Sequence, residues 1–325
     1  MQFFDGLSAV PQGFGPSAVT IGKFDGVHAG HRAVIAALKQ VAAERGLVST
    51  VVTFDRHPLS VLNPAKCPDA LVSIAQKDEL LEATGLDATL MLTFDRAFSE
   101  QTPEEFVSTV LVDALHARVV LVGADFRFGN KGRGDFAMLQ RLGPELGFEV
   151  QLIPEAKFGA EGAESAAGAD GARRASSTWI RELLGAGDVA RATELLGRMP
   201  SLRSIVVHGE QRGRELGYPT ANLSPDLEGL IPADGVYACW ATIDGVRYGA
   251  AVSIGNNPTF VGVPQKRVEA HLLDQDLDLY GKSIELEFVR YIRSMEKFDS
   301  VDALVTQMHR DDDDIRAELS LAPRP

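Results

Sequence analysis

At 325 residues the chain is long for one hydrophobic core, and two domains are expected. It is 45% hydrophobic and 24% charged, as soluble globular proteins are, and it has no run of about 18 apolar residues, so no membrane span is expected. A formal net charge of −13 repels nucleic acid at long range and argues against a DNA or RNA partner, while a nucleoside triphosphate can still be held locally by helix N-termini and a few placed cations.

The opening MQFFDGLSAV has neither a basic stretch nor a long apolar core, so it does not read as a signal peptide. Residues 18–22 read as a strand and 31–45 as a helix with Val34, Ile35, Leu38 and Val41 on one face. Residues 47–54 are a second strand. Cys67 and Cys239, the only cysteines, give no disulfide framework and no Cys-based metal site; both are expected to be small buried hydrophobes, and the cytoplasm is the expected compartment. Residues 76–84 read as helical and 88–93 as extended. Thr102 as N-cap, Pro103 at the first position and Glu104 and Glu105 next predict a helix over 103–116. Residues 118–122 and 148–153 are further strands, with a helix near 135–146 between them. This alternation, with continuously apolar strands, predicts an α/β doubly wound parallel sheet whose ligands bind at the carboxyl ends of the strands. Residues 159–175 are small and polar and read as a surface loop of the first domain. Helices are expected over 177–185 and 188–197, with Gly187–Asp188 as stop and cap, and Pro200 as a boundary. Beyond it, short extended runs at 203–207, 235–243, 247–254, 267–273 and 283–290, with a hairpin signal at Asp244–Gly245, predict an antiparallel β-barrel closed by a helix over 300–319. The expected domains are 1–199 and 200–325.

Between the first strand and the first helix stands Gly22-Lys23-Phe24-Asp25-Gly26-Val27-His28-Ala29-Gly30-His31. Glycines there let backbone approach a phosphate, the helix N-terminus offers unpaired N–H groups, and two imidazoles add donors. It is neither a Walker A loop nor a Gly-x-Gly-x-x-Gly turn; a His-x-x-His metal pair and plain packing at a helix start are the competing readings. In the second half, Gly209–Asn222 is Gly-rich and charged, which turns alone could explain. By alternation Glu269 occupies an outward-facing strand position. The Asp311–Asp314 run reads as a solvated helix face.

The strand, Gly-x-Phe-Asp-Gly-x-His-x-Gly-His, helix sequence resembles the HxGH nucleotidyltransferases, whose domain is Rossmann-like. The longer match resembles the bifunctional bacterial riboflavin kinase/FAD synthetases, on Thr53–Pro58, Val122–Gly129, Ser176–Arg181, Pro219-Thr220-Ala221-Asn222, Ser253–Phe260, Glu269 and Asp278–Gly281. The resemblance implies that Gly22, Phe24, Asp25, His28, Gly30 and His31 bind the ATP whose α-phosphorus the FMN phosphate attacks. It implies that Ser177, Thr178 and Arg181 grip the same phosphates, with His28, His31 and Arg181 acting in catalysis. Asp125, Phe128 and Asn130 are implied on the flavin side. In the kinase domain Gly213, Thr220 and Asn222 are implied to bind ATP, the last two through Mg²⁺, and Glu269 to take the proton of the riboflavin 5′-hydroxyl. Riboflavin, FMN, FAD and ATP are then the small-molecule partners, flavin being both substrate and product, with Mg²⁺ accompanying ATP and weak or transient self-association suggested. Lys23 and Arg56 depart from the family, which commonly has Asn and Pro there, and each adds a cation near the expected phosphates. An adenylyltransferase with another acceptor, and a flavin-binding regulator without turnover, are the rival readings.

Overall fold

The computed structural model describes residues 1–153, 173–209, 217–256 and 266–322. Gly213 and residues 159–172 of the expected surface loop lie outside the described residues.

Residues Met1–Ala70 and Ile74–Ala175 form one compact unit. Its six strands are β1 (Gln2–Asp5), β2 (Ser17–Ile21), β3 (Val48–Phe54), β4 (Ala88–Leu92), β5 (Ala117–Val122) and β6 (Glu149–Leu152). They run in the order β1-β4-β3-β2-β5-β6, every neighbouring pair parallel. All five residues of β2 are buried, because helices or loops cover both faces of a parallel sheet. On one face Val19, Ile21, Val52 and Val120 pack with Phe106, Val107 and Leu111; on the other Ala18, Val51 and Val119 pack with Ile35, Leu38 and Leu81. Each large aliphatic buried in this way contributes about 1.5–3 kcal/mol. The chain winds outward from β2 through β3 and β4, then crosses to β5 on the other side of β2. The carboxyl ends of β2 and β5 therefore flank the point where strand order reverses, which is where such sheets hold ligands.

The expected helix over 103–116 is present with a change of pitch. Thr102 and Glu105 form a reciprocal capping box before Pro103–Phe106, which is α-helical, and Val107–Ala114 continues as a π-helix, with Leu115 N–H bonded to the Val110 carbonyl.

Leu71–Ser73 and Ser176–Pro325 form the second unit. In it the helices Ser177–Gly185 and Val189–Leu196 precede six strands: β7 (Ser201–Val207), β8 (Ala221–Leu223), β9 (Gly235–Ile243), β10 (Val246–Asn256), β11 (Lys266–Leu272) and β12 (Ser283–Arg293). They close into a barrel in the order β10-β11-β8-β7-β12-β9, every neighbouring pair antiparallel. Asp244 and Gly245 both take positive φ, 51° and 79°, as the two-residue turn between β9 and β10 requires. The helix Val189–Leu196 packs against β12, so contacts group it with the barrel, whereas the sequence alone draws the boundary after it.

The carboxy-terminal helix, Val301–Glu318, packs against β9, β10 and β12. It corrects one expectation. Asp311 and Asp312 are not solvated: each is 5% exposed, and only Asp313 and Asp314 face water. Asp311 accepts two hydrogen bonds from Arg293 of β12, at 2.8 and 2.7 Å, and Asp312 lies 3.6 Å from the buried Arg316. The paired guanidinium offsets the desolvation of the Asp311 carboxylate. A run of four acids says nothing of period, and these four straddle the helix. Of the two cysteines Cys239 is fully buried as expected, while Cys67 is only half-buried; neither forms a disulfide.

Candidate active sites

The Gly22–His31 turn leaves the carboxyl end of β2 with Gly22 N–H bonded to the Val52 carbonyl at 3.0 Å. It reverses direction through left-handed backbone at Phe24, Gly26 and Val27 (φ 49°, 79° and 38°). Positive φ at a β-branched residue is costly and persists only where the surroundings fix it. His28 is the N-cap of the helix Ala29–Arg45. Its Nδ1 accepts the His31 backbone N–H at 3.4 Å, which puts the proton of neutral His28 on Nε2. The two imidazoles stack at 3.7 Å and 19°, with Phe24 5.0 Å from His31. Gly30 gives this stack room: a Cβ there would press on the His28 ring at 3.2 Å. His31 Nδ1 is buried with no hydrogen-bond partner among the described residues, which marks a position for a ligand.

Burial, followed by the charges of His28, Lys23, Arg174 and Lys77, holds His31 well below its usual value of 6.5. The folded protein thus keeps His31 neutral at a pH where the unfolded chain protonates it. Its contribution to stability is complete above about pH 6.5 and is lost as pH falls below it, where the unfolded state binds the extra proton. Melting curves at pH 7.5 and 5.5 will show a fall in Tm that is smaller in His31→Gln.

The candidate flavin segment follows β5. Asp125 is exposed, Phe128 buried and Asn130 half-buried. Asn130 donates through its backbone to the Gln101 carbonyl at 2.7 Å and through Nδ2 to the Ser99 carbonyl at 3.2 Å. Phe128 stacks on Phe126 at 5.5 Å and begins a chain of ring contacts through Phe106, Phe98 and Phe94 to Phe54, with centroids 5.5–6.1 Å apart. The motifs do not reveal this apolar wall; Phe94 and Phe98, four apart, are its only sequence sign. Arg56 is held by Asp55 at 2.7 Å, and Lys23 Nζ lies 3.2 Å from His57 Nε2.

On the helix Ser177–Gly185 the cap is Ser176, whose Oγ accepts the Trp179 N–H at 3.3 Å. Ser177 and Thr178 therefore stand in the first turn, and Arg181 lies four residues past Ser177 on the same face. These residues belong to the second unit, His28 and His31 to the first.

In the barrel, register brings the second set of residues together. Glu269 of β11 pairs with Asn222 of β8 on one side and with Ser253 of β10 on the other. Val268, Ala270 and Leu272 fill the barrel, so Glu269 and His271 project from its outer face, as alternation predicts. That face is covered: Tyr218, Thr220, Glu269, Arg293, Phe298 and Met308 line a cavity of about 410 Å³. A second cavity of about 240 Å³ is lined by Pro219, Thr220, Asp278, Leu279 and Tyr280, so Thr220 borders both. His271 Nδ1 contacts the Pro219 carbonyl at 2.8 Å.

Gly209 supports Asn222. A Cβ at Gly209 would overlap the Asn222 amide, all three of whose terminal heavy atoms lie within van der Waals distance of it. Gly209→Ala will therefore displace that amide.

A parallel sheet with an imidazole-capped, glycine-rich turn and an antiparallel barrel with a carboxylate-lined cavity define a two-domain protein with a candidate site in each. Residues 11–167 match the FAD synthetase family and 196–319 the riboflavin kinase family. The chain is 36% identical to the bifunctional riboflavin kinase/FMN adenylyltransferase of Escherichia coli (strain K12), over 94% of this chain and 93% of that one. To the protein of the same description in Bacillus subtilis (strain 168) it is 33% identical, over 91% and 90%. A solved structure of a Streptococcus pneumoniae protein described as a macrolide-efflux protein superposes with a TM-score of 0.85 at 31% identity, covering 97% of this chain and 99% of that one. Among the described residues no helix is long and apolar enough to cross a membrane. The chain belongs to the bifunctional riboflavin kinase/FMN adenylyltransferases: it phosphorylates riboflavin to FMN and adenylylates FMN to FAD, using ATP in both reactions.

Proposed function

We propose that the two reactions occupy two separate sites, within functional domains 1–199 and 200–325, and that the residues divide the work as follows. At the first, Gly22, Phe24, Asp25 and Gly30 shape the turn that receives the ATP phosphates, and His28 and His31 donate to them from the helix N-terminus. Ser177, Thr178 and Arg181 add a second helix N-terminus and a guanidinium. The FMN phosphate oxygen forms a bond to the α-phosphorus as the bond to the leaving pyrophosphate breaks. The attacking oxygen is already anionic, so no general base is needed, and catalysis reduces to alignment and charge stabilisation. The phenylalanine chain ending at Phe128, with Asp125 and Asn130 beside it, supplies the apolar wall for the isoalloxazine. The stacked imidazoles, that of His28 capping the helix, carry this assignment.

At the second site the attacking group is a neutral hydroxyl and needs a base. Glu269 takes its proton as the ribityl oxygen bonds to the γ-phosphorus and ADP leaves. The larger, mostly apolar cavity holds riboflavin and the smaller one the nucleotide, so that Thr220, which borders both, stands where the phosphoryl group passes. The pairing of Glu269 with Asn222 carries this assignment. Thr220 and Asn222 offer neutral oxygens, and no cluster of three His, Cys, Asp or Glu suited to a metal occurs among the described residues. That donor set fits a Mg²⁺ ion that keeps water and phosphate oxygens in its shell. When bound, Mg²⁺ neutralises phosphate charge; Thr220 and Asn222 orient the triphosphate against Glu269. Gly213, in the same glycine-rich sequence segment, contacts the nucleotide.

Unpaired Cys67 and Cys239 and the need for ATP support residence in the cytoplasm. The net charge of −13 supports the absence of a nucleic-acid partner. Weak or transient self-association is the remaining part of the proposal and is read by sedimentation velocity. Chromatography of products from riboflavin, ATP and Mg²⁺ tests the division of labour: FMN should appear first and FAD after it, and supplied FMN should yield FAD with no riboflavin present.

A further inference from the structure

Lys77 falls in none of the motifs, yet it is 8% exposed, and lysine is rarely so buried without partners. It stands on the helix Ile74–Glu82, and its Nζ donates to the Phe54 carbonyl at 2.6 Å. Phe54 ends β3, beside the start of the Gly22–His31 turn. Burial works against the ammonium, while Asp25 and Asp55 lie near enough to favour it, and its charge reaches His31. Asp55 also accepts the Phe94 N–H beyond β4 at 2.9 Å. One buried cation thus sits at the carboxyl end of β3, within electrostatic reach of two carboxylates that would otherwise repel a triphosphate.

We propose that Lys77 is a positioning residue of the adenylyl-transfer site, holding the Phe54 carbonyl at the end of β3 and offsetting the charge of Asp25 and Asp55 so that the Gly22–His31 turn accepts ATP. It rests on the assignment of that turn to ATP. Lys77→Met keeps most of the side-chain volume and removes the charge. In FMN adenylylation it will raise the KM for ATP by about tenfold or more, as one unscreened charge at short range implies, with kcat little altered. The riboflavin kinase reaction of the same chain will stay within about twofold, since Lys77 belongs to the other unit. Lys77→Arg keeps the charge and will return the KM for ATP to within about threefold of wild type. An unchanged KM for ATP in Lys77→Met, or equal losses in both reactions, overturns the proposal. Should Lys77→Met fail to fold, Lys77→Gln takes its place, a tenfold rise in its KM for ATP confined to FMN adenylylation counting for the proposal and an unchanged KM against it. His31→Ala separates the two layers: if it leaves FAD formation intact the assignment of the turn fails, whereas if it abolishes FAD and Lys77→Met changes nothing, only the role of Lys77 fails.

Discussion

His31→Ala will cut FAD formation by about 10²–10³-fold while FMN continues to form from riboflavin. One preorganised donor at a water-poor site is worth that much where charge grows in the transition state. His31 meets the conditions: its Nδ1 is buried, its ring is clamped between Phe24 and His28, and burial with the cations around it keeps it neutral. His28→Ala will have the same effect for a second reason, because it removes the N-cap as well, at about 1 kcal/mol of helix stability. With the barrel untouched, the kinase reaction is the internal control for folding. The measurement is chromatographic separation of riboflavin, FMN and FAD over time. Loss of both products would show that the histidine serves the fold rather than one reaction.

Glu269→Gln will do the reverse. It preserves shape and strand pairing but cannot take the hydroxyl proton, so riboflavin phosphorylation should fall by about 10²–10⁴-fold with the KM for riboflavin little changed. Supplied FMN should still be converted to FAD at the wild-type rate. A drop in kcat with an unchanged KM is the signature that distinguishes a base from a wall of the cavity. A raised KM with full kcat would reduce Glu269 to a binding group.

Much of the architecture was legible because it rests on local pattern. The buried strands β2 to β5 are short runs, mostly of Val, Leu, Ile and Ala with a few Ser and Thr, and Asp244–Gly245 is a turn that few other residue pairs can make. What escaped depends on distant partners. β1 has four residues and is a strand because β4 pairs with it; β8 has three and is held by β11 and β7. The π-helix at Val107–Ala114 keeps helical composition and changes only its pitch. Among the site residues, His28 and His31 were readable because a glycine-rich turn and a helix N-terminus lie adjacent in sequence. Glu269 was readable only through resemblance, since alternation places it outward; the cavity over that face is built by Tyr218, Phe298 and the carboxy-terminal helix. The same helix misled the reading of Asp311 and Asp312, whose partners Arg293 and Arg316 come from β12 and from a later turn. Lys77 gave no local sign and the phenylalanine chain only the spacing of Phe94 and Phe98, because both are assembled by the sheet.

The most direct test mixes equal amounts of the His31→Ala and Glu269→Gln chains with riboflavin, ATP and Mg²⁺ and follows FAD. Neither chain alone should make it; together they should, because FMN released by the first is adenylylated by the second. FMN accumulating in the mixture without FAD would contradict two sites that work independently.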